Sequence, residues 1–115
     1  MYIGEVAKIT GLTIKAIRLY EERGLIMAPP RSGRYRIYNQ VHIDLLTLIK
    51  EAKALGASLG QLKEVIVYHN DEVDWPRIAT FLKQLKEQLI MQRDAINKKI
   101  ANVNACIATI ESEPL

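Results

Sequence analysis

The sequence offers a catalyst very little. Cysteine occurs once, at Cys106, and histidine twice, at His42 and His69. No nucleophile–base pair, buried carboxylate pair or phosphate-cradling loop can be assembled from it, so an enzyme is not expected. One thiol cannot close an internal disulfide, which makes a reducing cytoplasm the expected setting. No run of about 18 apolar residues occurs, so no membrane span is expected. The first residues also lack the basic-then-apolar order of a signal peptide. From Arg77 to Glu113 there is neither glycine nor proline, so nothing local interrupts a helix there.

The residues that are present fall into an ordered set of motifs. With 115 residues, 49% hydrophobic and 25% charged, the chain suits a small globular domain plus one long element. Residues 3–38 read IGEVAKITGLTIKAIRLYEERGLIMAPPRSGRYRIY. Gly4 is placed to cap a first helix with Val6 and Ala7 inward, and Gly11 to make a tight turn at positive φ. Thr13 then caps a second helix. Ala16, Ile17 and Tyr20 recur at helical spacing, leaving Lys15, Arg18 and Glu22 outward. Gly24 closes that helix behind Arg23, whose charge suits the helix C-terminus. A short helix, a glycine turn and a second helix with basic residues near its start are the elements of a helix-turn-helix.

Pro29-Pro30 ends the helical stretch, and Ser32-Gly33 reads as a turn. In an extended segment beyond it, alternation puts Arg34, Arg36 and Tyr38 on one face and Tyr35 and Ile37 on the other. Two guanidiniums and a phenol on one face suit phosphate oxygens. Alone, RSGRYRIY reads as well as a solvated turn; directly behind a helix-turn-helix it reads as a wing. Charge follows the same division. Residues 1–38 hold seven basic side chains (Lys8, Lys15, Arg18, Arg23, Arg31, Arg34, Arg36) against Glu5, Glu21 and Glu22, while the remainder holds nine basic and ten acidic residues. The positive surplus lies on the segment read as the DNA reader.

The runs IGEVAKITGLT, KAIRLYEERGLI and YRIY, in this order and spacing, resemble the DNA-binding head of the mercury-resistance (MerR) family of bacterial transcription regulators. Two positions depart from the family pattern. Leu19 stands where many members have an aromatic residue or histidine, and Ser-Gly-Arg-Tyr-Arg stands where many have Asn-Gly-Tyr-Arg.

A third helix is expected over Val41–Ala54, capped by Asn39 or Gln40, with Ile43, Leu46 and Ile49 inward. Gly56 ends it. Ser58 and Gln61 form a capping box for a fourth helix bearing Leu59, Leu62, Val65 and Ile66. The resemblance extends through LGASLGQLKEVI. Lys50 and Lys53 are candidates for phosphate contact or for plain solvated surface. Residues 68–74 (YHNDEVD) read as a polar, acidic connector. His69, Asp71 and Asp74 lack the second histidine or thiol that a closed metal site needs, so no metal ligand set is assigned.

From Trp75 to Ile110 one long helix is expected, with Pro76 tolerated in its first turn. A 4-3 spacing runs through Ile78, Leu82, Leu85, Leu89, Gln92, Ile96, Lys99, Val103, Cys106 and Ile110, apolar but for Gln92 and Lys99. Held over five heptads, this is a coiled-coil seam. Such a stripe needs a partner, and an identical chain is the simplest. The resemblance implies antiparallel pairing, with Gln92 near the two-fold axis and Cys106 near the start of the partner helix. Cys106 is read as a small hydrophobe on the seam, as a redox thiol, or as one ligand of a site completed by the other chain. A soft monovalent ion needs two soft ligands and each chain supplies one, so metal-sensing roles of relatives are not carried over and no cofactor is expected.

The expected fold is therefore mostly α. It comprises a winged helix-turn-helix head with a small β-hairpin wing and helix pair (residues 1–70), a connector (71–74), and a long antiparallel coiled-coil dimerisation helix (75–112). The expected function is a homodimeric transcription regulator on an inverted-repeat promoter site of double-stranded DNA. Thr13, Lys15, Arg18, Tyr20, Arg31, Arg34, Tyr35, Arg36 and Tyr38 are the expected DNA contacts. The resemblance implies more: distortion of an overlong promoter so that RNA polymerase can use it, under an unidentified effector. The sequence ends after the coiled coil, so the separate ligand domain of drug-sensing relatives is not expected. The alternative is a coiled-coil adaptor or architectural DNA-binding protein without effector control.

Overall fold

The computed structural model describes residues Met1–Pro114, which fall into two units, Met1–Ile78 and a second that begins at Ala79. The first is the head. Its first helix, α1 (Ile3–Thr10), starts one residue before the expected Gly4 cap; Tyr2 is the N-cap and supplies no side-chain bond. The orphan amides there are met differently. The backbone N–H groups of Glu5 and Val6 donate to the Tyr2 carbonyl. Gly11 ends α1 at φ 73°, and its N–H donates to Ala7 O at 2.9 Å. A side chain at Gly11 would also collide with the Lys50 ammonium, which donates to Thr10 O at 3.2 Å. Glycine is favoured there chiefly by the positive φ, since the Lys50 tip is the end of a flexible side chain that can move aside.

Thr13 caps α2 (Ile14–Glu22), its hydroxyl accepting from Ala16 N–H at 3.1 Å. Beyond α2, Gly24 takes φ 78° and donates to Glu21 O, while Leu25 N–H reaches back to Tyr20 O at 2.9 Å. These two bonds make a Schellman end, and the buried Leu25 and Ile26 follow it into the core.

The wing is a two-stranded hairpin, β1 (Arg31–Ser32) and β2 (Tyr35–Arg36), with Arg31 opposite Arg36 and Ser32 opposite Tyr35. Gly33 supplies the positive φ of its two-residue loop. Tyr38 and Met1 then exchange backbone bonds: Tyr38 N–H donates to Met1 O at 2.7 Å and the Met1 ammonium to Tyr38 O at 2.9 Å.

Helix α3 spans Gln40–Ala54, one residue longer than expected, and Asn39 is its cap. The cap is reciprocal. Asn39 Oδ1 accepts from His42 N–H, and His42 Nδ1 accepts from Asn39 N–H at 3.0 Å. Ile43, Leu45, Leu46 and Ile49 of α3 are buried, as are Val6 of α1 and Ile17 and Tyr20 of α2, and together they make up much of the core. Helix α4 (Leu59–Val65) carries the expected Ser58–Gln61 capping box and buries Leu62.

Within the polar stretch 68–74 the backbone is ordered. It forms a second hairpin, β3 (Tyr68–His69) and β4 (Glu72–Val73), with Tyr68 opposite Val73. Its loop residues Asn70 and Asp71 both take positive φ, 52° and 63°, as a type I′ turn requires and as Asn and Asp tolerate. Asp74 is occupied locally. One carboxylate oxygen accepts from Arg77 N–H at 3.1 Å, and the other lies 3.2 Å from His69 Nε2.

Helix α5 (Trp75–Glu111) is continuous over 37 residues, about 55 Å at 1.5 Å per residue. Ile78, the first expected seam residue, is 4% exposed within the first unit and belongs to the head's core. Within the second unit Leu89, Ile96, Ile100, Val103, Ile107 and Ile110 are all exposed. The last five recur at 4-3-4-3 spacing, so a second apolar row, through Ile100 and Ile107, runs beside the expected Lys99 and Cys106 positions. Cys106 is exposed in the single chain. No helix of the described residues is long and apolar enough to cross a membrane.

Candidate DNA-binding surface

Helix α2 divides cleanly. Ile17 and Tyr20 are buried, Ala16 and Glu21 are partly covered, and Ile14, Lys15, Arg18, Leu19 and Glu22 are exposed. Core packing of Ile17 fixes which side faces out, so Lys15 and Arg18 are presented one turn apart by the fold rather than by their own contacts. Arg18 and Arg36 both border a recess of about 550 Å³ between α2 and the wing, together with Glu21, Glu22 and Ala28.

Glu21 organises that recess, and sequence reasoning assigned it no role. Its carboxylate accepts from Arg36 Nε at 2.9 Å and from the Tyr38 hydroxyl at 3.4 Å. The expected arginine–tyrosine face therefore exists in part, but Arg36 and Tyr38 are turned to helix α2. Arg34 lies in the turn, outside both strands. Tyr38 is 2% exposed, and burial together with the Glu21 charge holds its hydroxyl above the usual phenol pKa. Tyr20 is 5% exposed; its hydroxyl accepts from Lys53 Nζ at 3.4 Å, with the ammonium 5.7 Å from the ring centre. Two residues expected on the DNA backbone are thus core residues, because the apolar bodies of both rings fill the space under α2. Lys50 and Lys53 likewise donate within the head.

Of the other expected contacts, Thr13 is exposed and serves as the α2 cap, and Arg31, Arg34 and Tyr35 are exposed on the wing. The Tyr35 ring lies 5.5 Å from that of Tyr2. Among the expected contacts, the basic side chains with no bond inside the described head are Lys15, Arg18, Arg31 and Arg34, with the outer nitrogens of Arg36 also open. Because Glu21 engages Nε, those outer nitrogens are oriented by a charge-assisted bond.

Glu21→Ala should lower head stability by about 1–2 kcal/mol, less than a fully buried pair because the Arg36 side chain keeps 30% of its exposure. A shift in the urea midpoint at constant slope is the measurement that checks it.

His42 braces the surface from behind. It is 6% exposed. Its Nδ1 accepts from Asn39, so Nε2 carries the proton and donates to Met27 O at 3.0 Å, which ties α3 to the segment entering the wing. Burial lowers its pKa from 6.5; the Met27 carbonyl and Glu21 oppose that only in part. The unfolded chain then takes up the proton first, so stability is full above 6.5 and falls as pH drops below it. One proton limits the slope to about 1.4 kcal/mol per pH unit. Melting curves between pH 7.5 and pH 5 should show this loss in the wild-type chain and a shallower one in His42→Gln.

Among the described residues no three His, Cys, Asp or Glu side chains converge as a metal site. Asp71 and Asp74 are separated in role, one in a turn and one capping α5. Cys106 is the chain's one thiol.

A helix-turn-helix whose second helix exposes Lys15 and Arg18, braced by a basic wing, is the head of a DNA-binding protein. The family profile described as "MerR HTH family regulatory protein" matches residues 1–68. The HTH-type transcriptional regulator CueR of Escherichia coli O6:H1 is 38% identical over 112 residues, covering 92% of this chain and 83% of the relative. The solved N-terminal part of MtaN, the Bacillus subtilis multidrug transporter activator, aligns with a TM-score of 0.63 at 23% identity, over 93% of this chain and 97% of that one. PbrR691 of Ralstonia metallidurans CH34, solved in complex with lead(II), aligns at 0.55 and 21% identity over 96% and 85% of the two chains. The chain belongs to the MerR family of helix-turn-helix regulators. It is a DNA-binding transcription regulator and not an enzyme.

Proposed function

We propose that the chain acts as a homodimer on an inverted-repeat promoter site, with α2 of each head in a major groove and the wing on the flanking backbone. The observation that carries this is α5. A 37-residue helix whose exposed row Ile96, Ile100, Val103, Ile107 and Ile110 has no cover in its own unit needs a second apolar helix. A copy of itself supplies one by closed two-fold symmetry. Antiparallel pairing, the family's arrangement, would set Gln92 against its own copy.

Within each half-site Lys15 and Arg18 are nearest the base edges, while Arg31, Arg34, Tyr35 and Arg36 hold phosphates and sugars. Tyr20 and Tyr38 act by positioning α2 and the wing. Two heads held by one rod can bend the duplex between them, at on the order of 1–6 kcal/mol for a short site. An effector that altered the head-to-head geometry would switch that distortion and with it the use of the promoter by RNA polymerase. A metal effector finds one thiol per chain, so a thiolate site would have to be shared between chains.

Footprinting on the gene's own upstream region, with and without thiol oxidants and metal ions, tests the reading. Protection of two related half-sites supports it, and protection indifferent to every additive would remove the effector from it. Gln92→Leu should raise the melting temperature at fixed protein concentration, since a buried polar pair on a seam costs stability. A lower melting temperature would count against pairing at this register.

A further inference from the structure

The exposed face of α2 is not uniformly polar. Ile14 is the first residue of the helix and keeps 39% of its exposure, with Lys15 beside it and Arg18 one turn further on. Leu19 keeps 37% and borders the same face from the other side, past the middle of the helix. Both line the shallow groove along α2 that Thr13, Lys15 and Arg18 also border. The fully buried residues of α2 are Ile17 and Tyr20, whereas Ile14 and Leu19 flank that face and stay partly open to solvent. Local helix propensity does not ask for Ile14, since a β-branched residue is a weaker helix former than Ala, Lys or Glu. A lone exposed isoleucine is ordinary on a protein surface. Here it occupies the first turn of the helix, and the first turn of a recognition helix is the part that meets base edges.

Base edges in the major groove present hydrogen-bonding groups at nearly every position, and the apolar exception is the 5-methyl group of thymine. An isoleucine set against a donor or acceptor would strip it of water and give nothing back, whereas against a methyl it gains. We propose that Ile14 is a specificity-determining residue that reads the 5-methyl of a thymine next to the base contacted by Lys15 or Arg18. This rests on α2 lying in a major groove, as proposed above. Ile14 then rejects cytosine and purines at that position, while the basic pair supplies the polar readout beside it. Leu19, further from the helix start, packs toward the sugar–phosphate wall and does not share the role.

The test uses the full-length chain and a duplex that it selects from a randomised pool. Each thymine of the half-site is replaced singly by deoxyuridine, which deletes only the methyl. One replacement should weaken wild-type binding about fourfold, the equivalent of roughly 0.8 kcal/mol for one methyl-sized group. Ile14→Ala should still bind but lose nothing at that position, and Leu19→Ala should keep the wild-type loss. A wild-type chain indifferent to every replacement, on a half-site it still protects, overturns the proposal and leaves the reading of α2 intact. So does a loss that persists in Ile14→Ala. If no duplex is enriched from the pool, the assignment of α2 as the reader fails, and this inference with it.

Discussion

Charging the apolar row of α5, with Ile96→Glu and Val103→Glu together, is expected to give a monomer that no longer holds a specific site. The two side chains are 55% and 56% exposed in the single chain and lie seven residues apart on one face. In a paired rod they would sit against a second copy, where two carboxylates from each chain lose their water and meet no cation. The head should stay folded, because its core draws on neither residue. Without the partner, each head binds a half-site alone and the effective concentration of the second head is lost. Affinity for the full site should then fall by about 10²–10⁴. Light scattering reads the mass and gel-shift titration reads the affinity. A double variant that remains a dimer with unchanged affinity would show that this row is not the seam.

Arg18→Ala is the second large effect. The side chain is exposed and borders the recess beside Arg36, so its removal should leave the melting temperature of the head nearly unchanged. If its guanidinium meets a guanine edge, discrimination between the selected site and a scrambled one falls by about 1–3 kcal/mol. A phosphate contact would behave differently: affinity would weaken equally for all sequences and the salt dependence would lose about one unit of slope. Competition titrations at two salt concentrations separate these results. An adaptor or architectural protein without promoter readout would show no loss of discrimination.

Local signals in the sequence revealed most of the head. Gly11, Thr13, Gly24, Gly56 and the Ser58–Gln61 pair act within a few residues of themselves, and each sits where such chemistry places it. The second hairpin was less visible because strands of two residues leave no alternation to detect. Its one strong sign was Asn70-Asp71 between Tyr68-His69 and Glu72-Val73, a pair that tolerates positive φ without containing glycine. Glu21 was invisible for another reason. Its partners Arg36 and Tyr38 lie 15 and 17 residues further on, and no local pattern brings a wing back onto α2.

Alternation along residues 34–38 correctly put Arg36 and Tyr38 on one side. It could not say whether that side faced solvent or the protein, which is a property of packing. His42 escaped notice because its ring nitrogen takes the place in the capping box where a Glu or Gln is usual. The stripe on α5 was legible as a 4-3 spacing of apolar residues; toward its C-terminal end that spacing runs through Lys99 and Cys106 in one register and through Ile100 and Ile107 in the next, and the choice between them is a property of pairing, not of the single chain.

The central claim is that one shared helical rod fixes the distance between two readers. Its most direct measurement is binding to duplexes in which the spacing between the two half-sites is changed by insertion. The account predicts two chains per duplex and strong binding at the natural spacing. A five-base-pair insertion, about half a helical turn, should abolish that binding because it carries one half-site to the far face of the DNA. Equal affinity at every spacing, or one chain per duplex, would contradict it.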